Sequence, residues 1–187
     1  MMKAVAMGAV LVMSAGAAIA GKAAVPAQDQ RFVMNTARVG IAEVELGKLA
    51  SEKATNPDVK SFAQRMVTDH SKANDELKAL AQKQGITLPT EMDAKHKALR
   101  DRLMKMSGEA FDHAYIVAMV NGHREAVAAF RTEARTGKDP EIKAWAEKTL
   151  PTIEDHLKVA QSLNKAVGTS GKKVGTSGKK VGTPSKK

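Results

Sequence analysis

The chain has 187 residues, a formal net charge of +10 and no cysteine. The absence of cysteine excludes disulfides, thiolate metal ligands and a lipid-modified cysteine, so stability must come from packing. The length, once a leader and a low-complexity tail are set aside, leaves room for one hydrophobic core.

Residues 1–20 have the features of a signal peptide. Lys3 precedes an apolar run, and Ala18-Ile19-Ala20 forms a small-residue cleavage pattern. A membrane anchor fits less well, because the run is shorter than the ~20 residues of a spanning helix and is rich in Ala and Gly. We therefore expect a periplasmic or secreted product, with a linker at 21–28. No later segment is apolar enough for a transmembrane helix, so none is predicted in the mature protein.

Residues 29–166 are predicted to form a helical bundle domain, and its first half holds one helical hairpin. Asp29 is a candidate N-cap for a helix that runs to about Thr55. Asn56-Pro57 ends that helix and starts a second one, which ends at Gly85.

The second half begins with a shorter helix. Thr90 and Asp93 resemble a capping pair for a helix to about Met106, and Ser107-Gly108 interrupts before a long helix that runs to about Thr136. Asp139-Pro140 then starts the last helix, to about Ala166, in which Pro151 is predicted to cause a kink or a local break.

An internal repeat indicates how these helices are arranged. Residues 56–67, NPDVKSFAQRMV, align without a gap with residues 139–150, DPEIKAWAEKTL. The two hairpins therefore look like copies of one unit, and the segment between them is long enough to cross the bundle. The prediction is an all-α, ferritin-like four-helix bundle made of two helical hairpins joined by a crossover that contains a shorter helix.

Residues 167–187 form a lysine-rich tail that repeats VGTSGKK, VGTSGKK and VGTPSKK. This composition cannot bury enough apolar surface to offset ordering, so the tail is predicted to be disordered. Its charge suits anionic envelope polymers or lipid head groups as partners, and a solvated tail without a partner is the alternative. Nucleic acid is disfavoured because the tail has no aromatic side chain for base stacking.

Four polar residues interrupt the apolar stripes of the four long helices, each near its helix midpoint: Glu43, His70, His123 and His156. Inward-facing residues at one height in a bundle meet in one layer. Three imidazoles and a carboxylate suit one divalent transition metal ion, such as zinc, iron, manganese or copper. The alternative is a buried polar network that includes Tyr115 and has only a structural role.

Two methionines, Met66 and Met119, each lie one helical turn before one of these histidines. Their sulfurs make copper conceivable, although methionine also serves as an adaptable filler of cores. They and Tyr115 are candidates for outer or alternative ligands. His96 and His113 are predicted to be exposed or peripheral.

No catalytic residue is assigned. The chain contains no Glu-x-x-His pair, so ferroxidase or di-iron oxygenase activity is disfavoured. It also lacks a phosphate-binding glycine loop, a G-x-S-x-G elbow and an H-E-x-x-H motif.

The segments AEVELGKLA, PDVKSFAQRMVTDHSKAN, FDHAYIVAMVNGH and LPTIEDHLKVA resemble the motifs of a family of exported bacterial domains of unknown function. The resemblance covers nearly all of residues 29–165. It implies a ferritin-like fold, export, and family Glu and His positions at Glu43, His70, His123 and His156, without an established activity. Such proteins often carry the label "predicted outer membrane protein". This sequence has no run of short alternating strands that would predict a membrane barrel.

The predicted function is that of an exported periplasmic or envelope bundle protein of unassigned activity, which binds a divalent metal in its core or serves in envelope stress. It is also expected to associate peripherally with the cell envelope. One alternative is a non-enzymatic envelope interaction module that works through its basic tail. A third is a small metallohydrolase or oxidoreductase that uses an open metal position.

Overall fold

The computed structural model describes residues 24–173, and this part of the chain contains five helices and no strand. The helices are α1 (Ala27–Lys53), α2 (Pro57–Gln84), α3 (Ala94–Met104), α4 (Gly108–Thr136) and α5 (Pro140–Lys173). The predicted all-α class is confirmed. The signal peptide prediction and the end of the tail, residues 174–187, fall outside the described residues.

The helices pair as two hairpins. α1 packs along α2 and α4 packs along α5, and the hairpins meet where α1 faces α4 and α2 faces α5. The short α3 lies against α1 and α4. Asp112, near the start of α4, bonds to the turn that follows α1, and Asp29, near the start of α1, bonds to the turn that follows α4. α1 and α4 are therefore antiparallel, and residues 85–107 must return along the bundle.

The turn of the first hairpin is held by a buried carboxylate from the second. Asp112 Oδ1 accepts a hydrogen bond from Thr55 N at 3.1 Å. Its Oδ2 accepts from Thr55 Oγ1 at 2.6 Å and from Asn56 N at 2.8 Å. One side chain thus satisfies three donors of this turn, two backbone N–H groups and one hydroxyl.

Asp29 holds the turn of the second hairpin in the same way, and it is not the N-cap that the sequence predicts. α1 begins at Ala27, after Pro26, without a side-chain cap. Asp29 lies inside the first turn, fully buried, where its Oδ2 accepts hydrogen bonds from Lys138 N and Asp139 N. The Asp29 carboxylate therefore bonds to the turn between α4 and α5 instead of capping α1.

These two contacts extend the internal repeat. Asp29 precedes Asn56 by the same number of residues as Asp112 precedes Asp139. Each hairpin therefore supplies one carboxylate to the turn of the other, a reciprocal contact of the kind that a duplicated unit forms when its copies pack together.

Local turn chemistry sets most of the other helix ends. Asn56 Oδ1 accepts from Asp58 N and Val59 N, and Gly85 ends α2 with a left-handed φ of 70°. Asp139 caps α5 in the same manner as Asn56 caps α2. These predicted ends are confirmed.

Three helix predictions differ from the structure. Asp93, rather than Thr90, caps α3 by accepting from His96 N, and α3 ends at Met104. α5 is continuous across the exposed Pro151, so of the two predicted outcomes, a kink or a local break, the break does not occur. α5 also continues to Lys173, past the predicted end near Ala166 and into the first residues assigned to the tail.

The core consists of two apolar clusters stacked along the bundle. One lies towards the α1–α2 turn and contains Met66, Phe111 and Tyr115. The other lies towards the α4–α5 turn and contains Phe32, Phe130 and Trp145, whose rings contact one another. Between residues 24 and 173, no helix has both the length and the hydropathy to cross a membrane.

Replacing Asp112 with alanine is expected to lower the free energy of unfolding by about 3 kcal/mol, because three donors at the first turn lose their acceptor. Urea unfolding measures the change. The matched control is Asp75→Ala, which removes an exposed carboxylate from α2 and should change stability by less than about 0.5 kcal/mol. Equal effects of the two replacements would contradict the assigned role of Asp112.

Candidate metal centre

A polar layer separates the two apolar clusters. On each of the four long helices, residues of one cluster precede the polar residue and residues of the other cluster follow it. The members of this layer are buried: Glu43 on α1, His70 on α2, His123 on α4 and His156 on α5. The sequence-based prediction that each of these side chains points into the bundle agrees with this placement.

Three of the four side chains converge on one point. The ring centroids of His70 and His123 are 5.7 Å apart, those of His70 and His156 are 5.3 Å apart, and those of His123 and His156 are 5.5 Å apart. One ring nitrogen of each histidine lies within 4.8 Å of the other two. Both hairpins contribute to this cluster, so it forms only when they pack together.

The hydrogen bond of His123 fixes its tautomer. Its Nδ1 lies 2.9 Å from the backbone carbonyl of Met119, and a carbonyl can only accept, so Nδ1 carries the proton. The lone pair is therefore on Nε2, which is buried and has no hydrogen-bond partner among the described residues.

In His156 the two ring nitrogens have the reverse roles. Its Nε2 donates to Asp69 Oδ2 at 2.8 Å, and its buried Nδ1 has no partner in the described part of the chain. The same is true of Nε2 of His70. Within residues 24–173, each histidine thus has one buried nitrogen without a partner, and in two of them an oxygen acceptor holds the other nitrogen. This is the usual arrangement of metal-ligating histidines, whose second nitrogen bonds to a carboxylate or a backbone carbonyl.

Burial keeps the imidazoles of His70 and His156 neutral. It lowers the pKa of His70 to about 4, although the nearby charge of Glu43 acts in the opposite direction. Burial also lowers the pKa of His156 to about 4, against the hydrogen bond to Asp69. Neutral imidazole is the form that coordinates metal ions, so the ligand form is present at neutral pH without a competing proton.

Glu43 lies beside the histidine cluster rather than within it. Its Oε1 is 4.0 Å from His123 Nδ1, and its Oε2 is buried without a partner among the described residues. The hydroxyl of Tyr115 is also buried and has no hydrogen-bond partner among the described residues. Burial, followed by the charge of Glu43, raises the pKa of Tyr115 well above its usual value, so the phenol stays protonated.

The other candidates have different surroundings. Met66 and Met119 are buried in the adjacent apolar cluster, and Met119 serves the site through its backbone carbonyl. His96, half-buried on α3, bonds to Asp93 through Nδ1, and His113 is exposed.

Asp69, which contacts the histidine cluster through His156, is a residue that the sequence analysis missed. It lies at the edge of α2, partly exposed, and its Oδ2 also accepts from Arg65, which pairs with Asp155 of α5. Partial burial acts to raise the pKa of Asp69, but the hydrogen bonds from His156 and Arg65 outweigh it and lower the pKa. The only signal in the sequence is the adjacency of Asp69 to the inward-facing His70.

A groove between α2 and α5 leads towards the buried histidine cluster. The groove has a volume of about 140 Å³, and His70 and His156 line it. A salt bridge of 2.9 Å between Glu76 and Lys148 joins the two helices at its rim. An ion could therefore enter from the α2–α5 face of the bundle.

Asp69→Ala is expected to weaken metal binding 10- to 100-fold, because His156 loses the carboxylate that orients it. The matched control is Asp155→Ala, which removes the other carboxylate on Arg65 without touching a histidine. Binding calorimetry compares the two variants. Unchanged affinity in Asp69→Ala would show that Asp69 does not orient the site.

Comparison with known protein families identifies the chain. The family described as "Domain of unknown function (DUF4142)" matches residues 14–163. The chain belongs to this family. The predicted membership of a family of unknown function is thus confirmed. A comparison with curated proteins gives no match.

Solved structures share the fold of this DUF4142 chain. A DUF305 fragment from Deinococcus radiodurans superposes with a TM-score of 0.67 at 15% sequence identity, covering 79% of this chain and 99% of the fragment. CopM in the Cu(II)-bound form gives a TM-score of 0.63 at 19% identity, covering 74% of this chain and 96% of CopM. At these identities the similarity shows the fold alone.

Proposed function

We propose that this chain is an exported metal-binding protein in which His70, His123 and His156 hold one divalent transition metal ion. The observation that carries the proposal is the convergence of three buried imidazoles, each of which has one ring nitrogen without a hydrogen-bond partner among the described residues. Buried polar atoms without partners are costly. A metal ion between the three nitrogens would satisfy all of them at once.

The ligand atoms in this proposal are His70 Nε2, His123 Nε2 and His156 Nδ1. Three protein ligands leave a fourth position for water or an exchangeable ligand. Glu43, predicted from the sequence as the anionic ligand, lies beyond the three-nitrogen group. We therefore assign it the role of offsetting the metal charge, in preference to a direct bond.

Copper(II) and zinc(II) fit this site best. Imidazole nitrogen suits zinc, copper, iron and nickel, whereas manganese prefers oxygen ligands. Copper(II) binds most tightly of the divalent first-row metals to a given set of ligands. The shared fold of CopM, whose structure is a Cu(II)-bound form, is a further reason to test copper first.

We propose that the site binds a metal ion and does not catalyse a reaction. The chain has no Glu-x-x-His pair from which to build a di-iron carboxylate centre, so ferroxidase chemistry is not part of it. Metal buffering or delivery in the cell envelope requires only a site that binds an ion and releases it.

We also propose that the fold is ferritin-like. The antiparallel direction of α1 and α4 supports this topology, because it requires a long return between the hairpins, and the segment that contains α3 supplies it.

Export and the basic tail complete the proposal. The leader at 1–20 would direct the chain to the periplasm, and the lysine-rich tail would attach it peripherally to anionic envelope polymers or lipid head groups. The intact mass of the native protein tests export: the expected mass lacks residues 1–20, and a retained leader contradicts the proposal.

A panel of metal ions tests metal binding. Protein purified without an affinity tag and stripped with a chelator is mixed separately with Cu(II), Zn(II) and Mn(II), and its melting temperature is measured. Copper and zinc are expected to raise the melting temperature, and manganese at the same concentration much less. A melting temperature that no ion changes would contradict the proposal and favour the structural polar network.

A further inference from the structure

A second and larger groove lies on the opposite face of the bundle from the α2–α5 groove. It is bounded by α1, α3 and α4 and has a volume of about 830 Å³. Small-molecule sites in proteins have volumes of roughly 300–1,000 Å³. The proposed metal site makes no use of this groove.

Small side chains and light packing of α3 keep the groove open. α3 carries only one fully buried side chain, Leu103. Beneath it, α4 presents Ala118, Gly122 and Ala126 to the groove. A Cβ atom added to Gly122 would have only Glu43 Oε1 nearby, at 3.5 Å, so its side of the groove is not already filled.

The interior of the groove is largely apolar. Val39 of α1 and Leu99 of α3, both half-buried, line it together with the alanines of α4. Phe130 of α4 also lines the groove. The removal of an apolar ligand surface from water in this groove would favour binding.

The rim of the groove is positively charged. Lys95, Arg102 and Arg124 line it, and among the described residues that line the groove Glu125 is the only acidic one. Glu125 is already paired with Lys95 at 3.1 Å. Between residues 24 and 173, the guanidinium groups of Arg102 and Arg124 make no ion pair, so two positive charges remain without compensation at an apolar groove.

We propose that this groove binds an organic anion with an apolar body, such as a medium-chain carboxylate. The acidic group would lie near Arg102 and Arg124, since guanidinium binds carboxylates strongly. The body would pack against Val39, Leu99 and Ala126. The lysine-rich tail of the same chain is a poor occupant, because the rim would repel its charge.

Calorimetry of the full-length chain with dodecanoate, below its micelle concentration, tests the proposal. The expected result is saturable binding of one dodecanoate per chain, at least about tenfold tighter than dodecylammonium of the same chain length. Equal binding of the anion and the cation, or binding that does not saturate, would overturn the proposal.

Two pairs of arginine replacements locate the bound anion. Arg102→Gln with Arg124→Gln is expected to weaken dodecanoate binding about tenfold. The control, Arg31→Gln with Arg135→Gln, makes the same change of charge at exposed positions outside the groove and should alter binding less than about twofold. If both pairs weaken binding equally, the anion is attracted by overall charge and the proposal fails.

Filling the groove gives a second readout. Ala126→Trp is expected to abolish dodecanoate binding while the helical circular dichroism is retained; retained binding in a folded variant would overturn the proposal. If this variant does not fold, the arginine pairs and their control decide alone. Replacing His70 and His156 with glutamine should leave dodecanoate binding unchanged, which separates this site from the proposed metal site.

Discussion

The His70→Gln/His156→Gln variant is expected to lose metal binding while its helices remain. The replacement removes two of the three proposed nitrogen ligands, and the single remaining imidazole of His123 cannot hold the ion alone. Glutamine stays neutral and polar within the layer, and the apolar clusters on either side are unchanged. Calorimetry measures binding, and circular dichroism checks the helices.

The size of the effect can be read from thermal stability. In the wild type, metal at 100 times its dissociation constant should add ~2.7 kcal/mol to the free energy of unfolding if it binds only the native state. A chelator should reverse the change, and the variant should show none. The control is His96→Gln/His113→Gln, which removes two histidines outside the cluster. Metal binding that survives in His70→Gln/His156→Gln would contradict the assignment.

Acid is expected to destabilise the metal-free protein between about pH 6.5 and pH 4. An imidazole in the unfolded chain takes up a proton near pH 6.5. In the folded protein, buried His70 and His156 each have a pKa of about 4, so they do not take up a proton near pH 6.5. The unfolded state therefore binds more protons in this range, so stability falls as the pH falls. Each imidazole accounts for a loss on the order of 3 kcal/mol between the two pH values.

Urea unfolding at several pH values, with a chelator present, measures this dependence. Stability should be nearly constant above pH 7 with respect to these two groups and should fall steadily below pH 6.5. His70→Gln/His156→Gln should have a much flatter profile in the same range, because glutamine does not titrate. The same slope in both proteins would show that other groups cause the acid sensitivity.

Helix ends with local partners could be predicted from the sequence. Asn56 and Asp139 cap the helices that directly follow them, and Gly85 supplies the left-handed residue at the end of α2. Asp29 could not be assigned in this way. Its partners Lys138 and Asp139 lie in the turn of the other hairpin, more than a hundred residues away along the chain.

The candidate site shows a similar division. Apolar periodicity is enough to predict that His70 and His156 face inward, since spacing fixes the face of a helix, and helix length places His123 at the same height. Periodicity alone does not fix the direction of His123, because apolar residues flank it on both sides. Periodicity does not fix how far a side chain reaches, so it could not separate Glu43 from the three histidines. Nor could it identify Asp69, whose partner lies on another helix.

The α1–α3–α4 groove had no signal in the sequence. Ala118, Gly122 and Ala126 follow the same helical spacing as residues that pack tightly, and only the position of α3 leaves the space above them open. The reciprocal contacts of Asp29 and Asp112 likewise became visible only when the two hairpins could be compared in three dimensions.

X-ray absorption spectroscopy of the zinc-loaded protein tests the three-histidine site most directly. With one zinc ion bound per chain, the spectrum is expected to show three imidazole nitrogens at about 2.0–2.1 Å from the metal, with the scattering pattern of intact imidazole rings. A coordination shell of oxygens without imidazole scattering, or with only a single imidazole, would contradict a metal site formed by His70, His123 and His156.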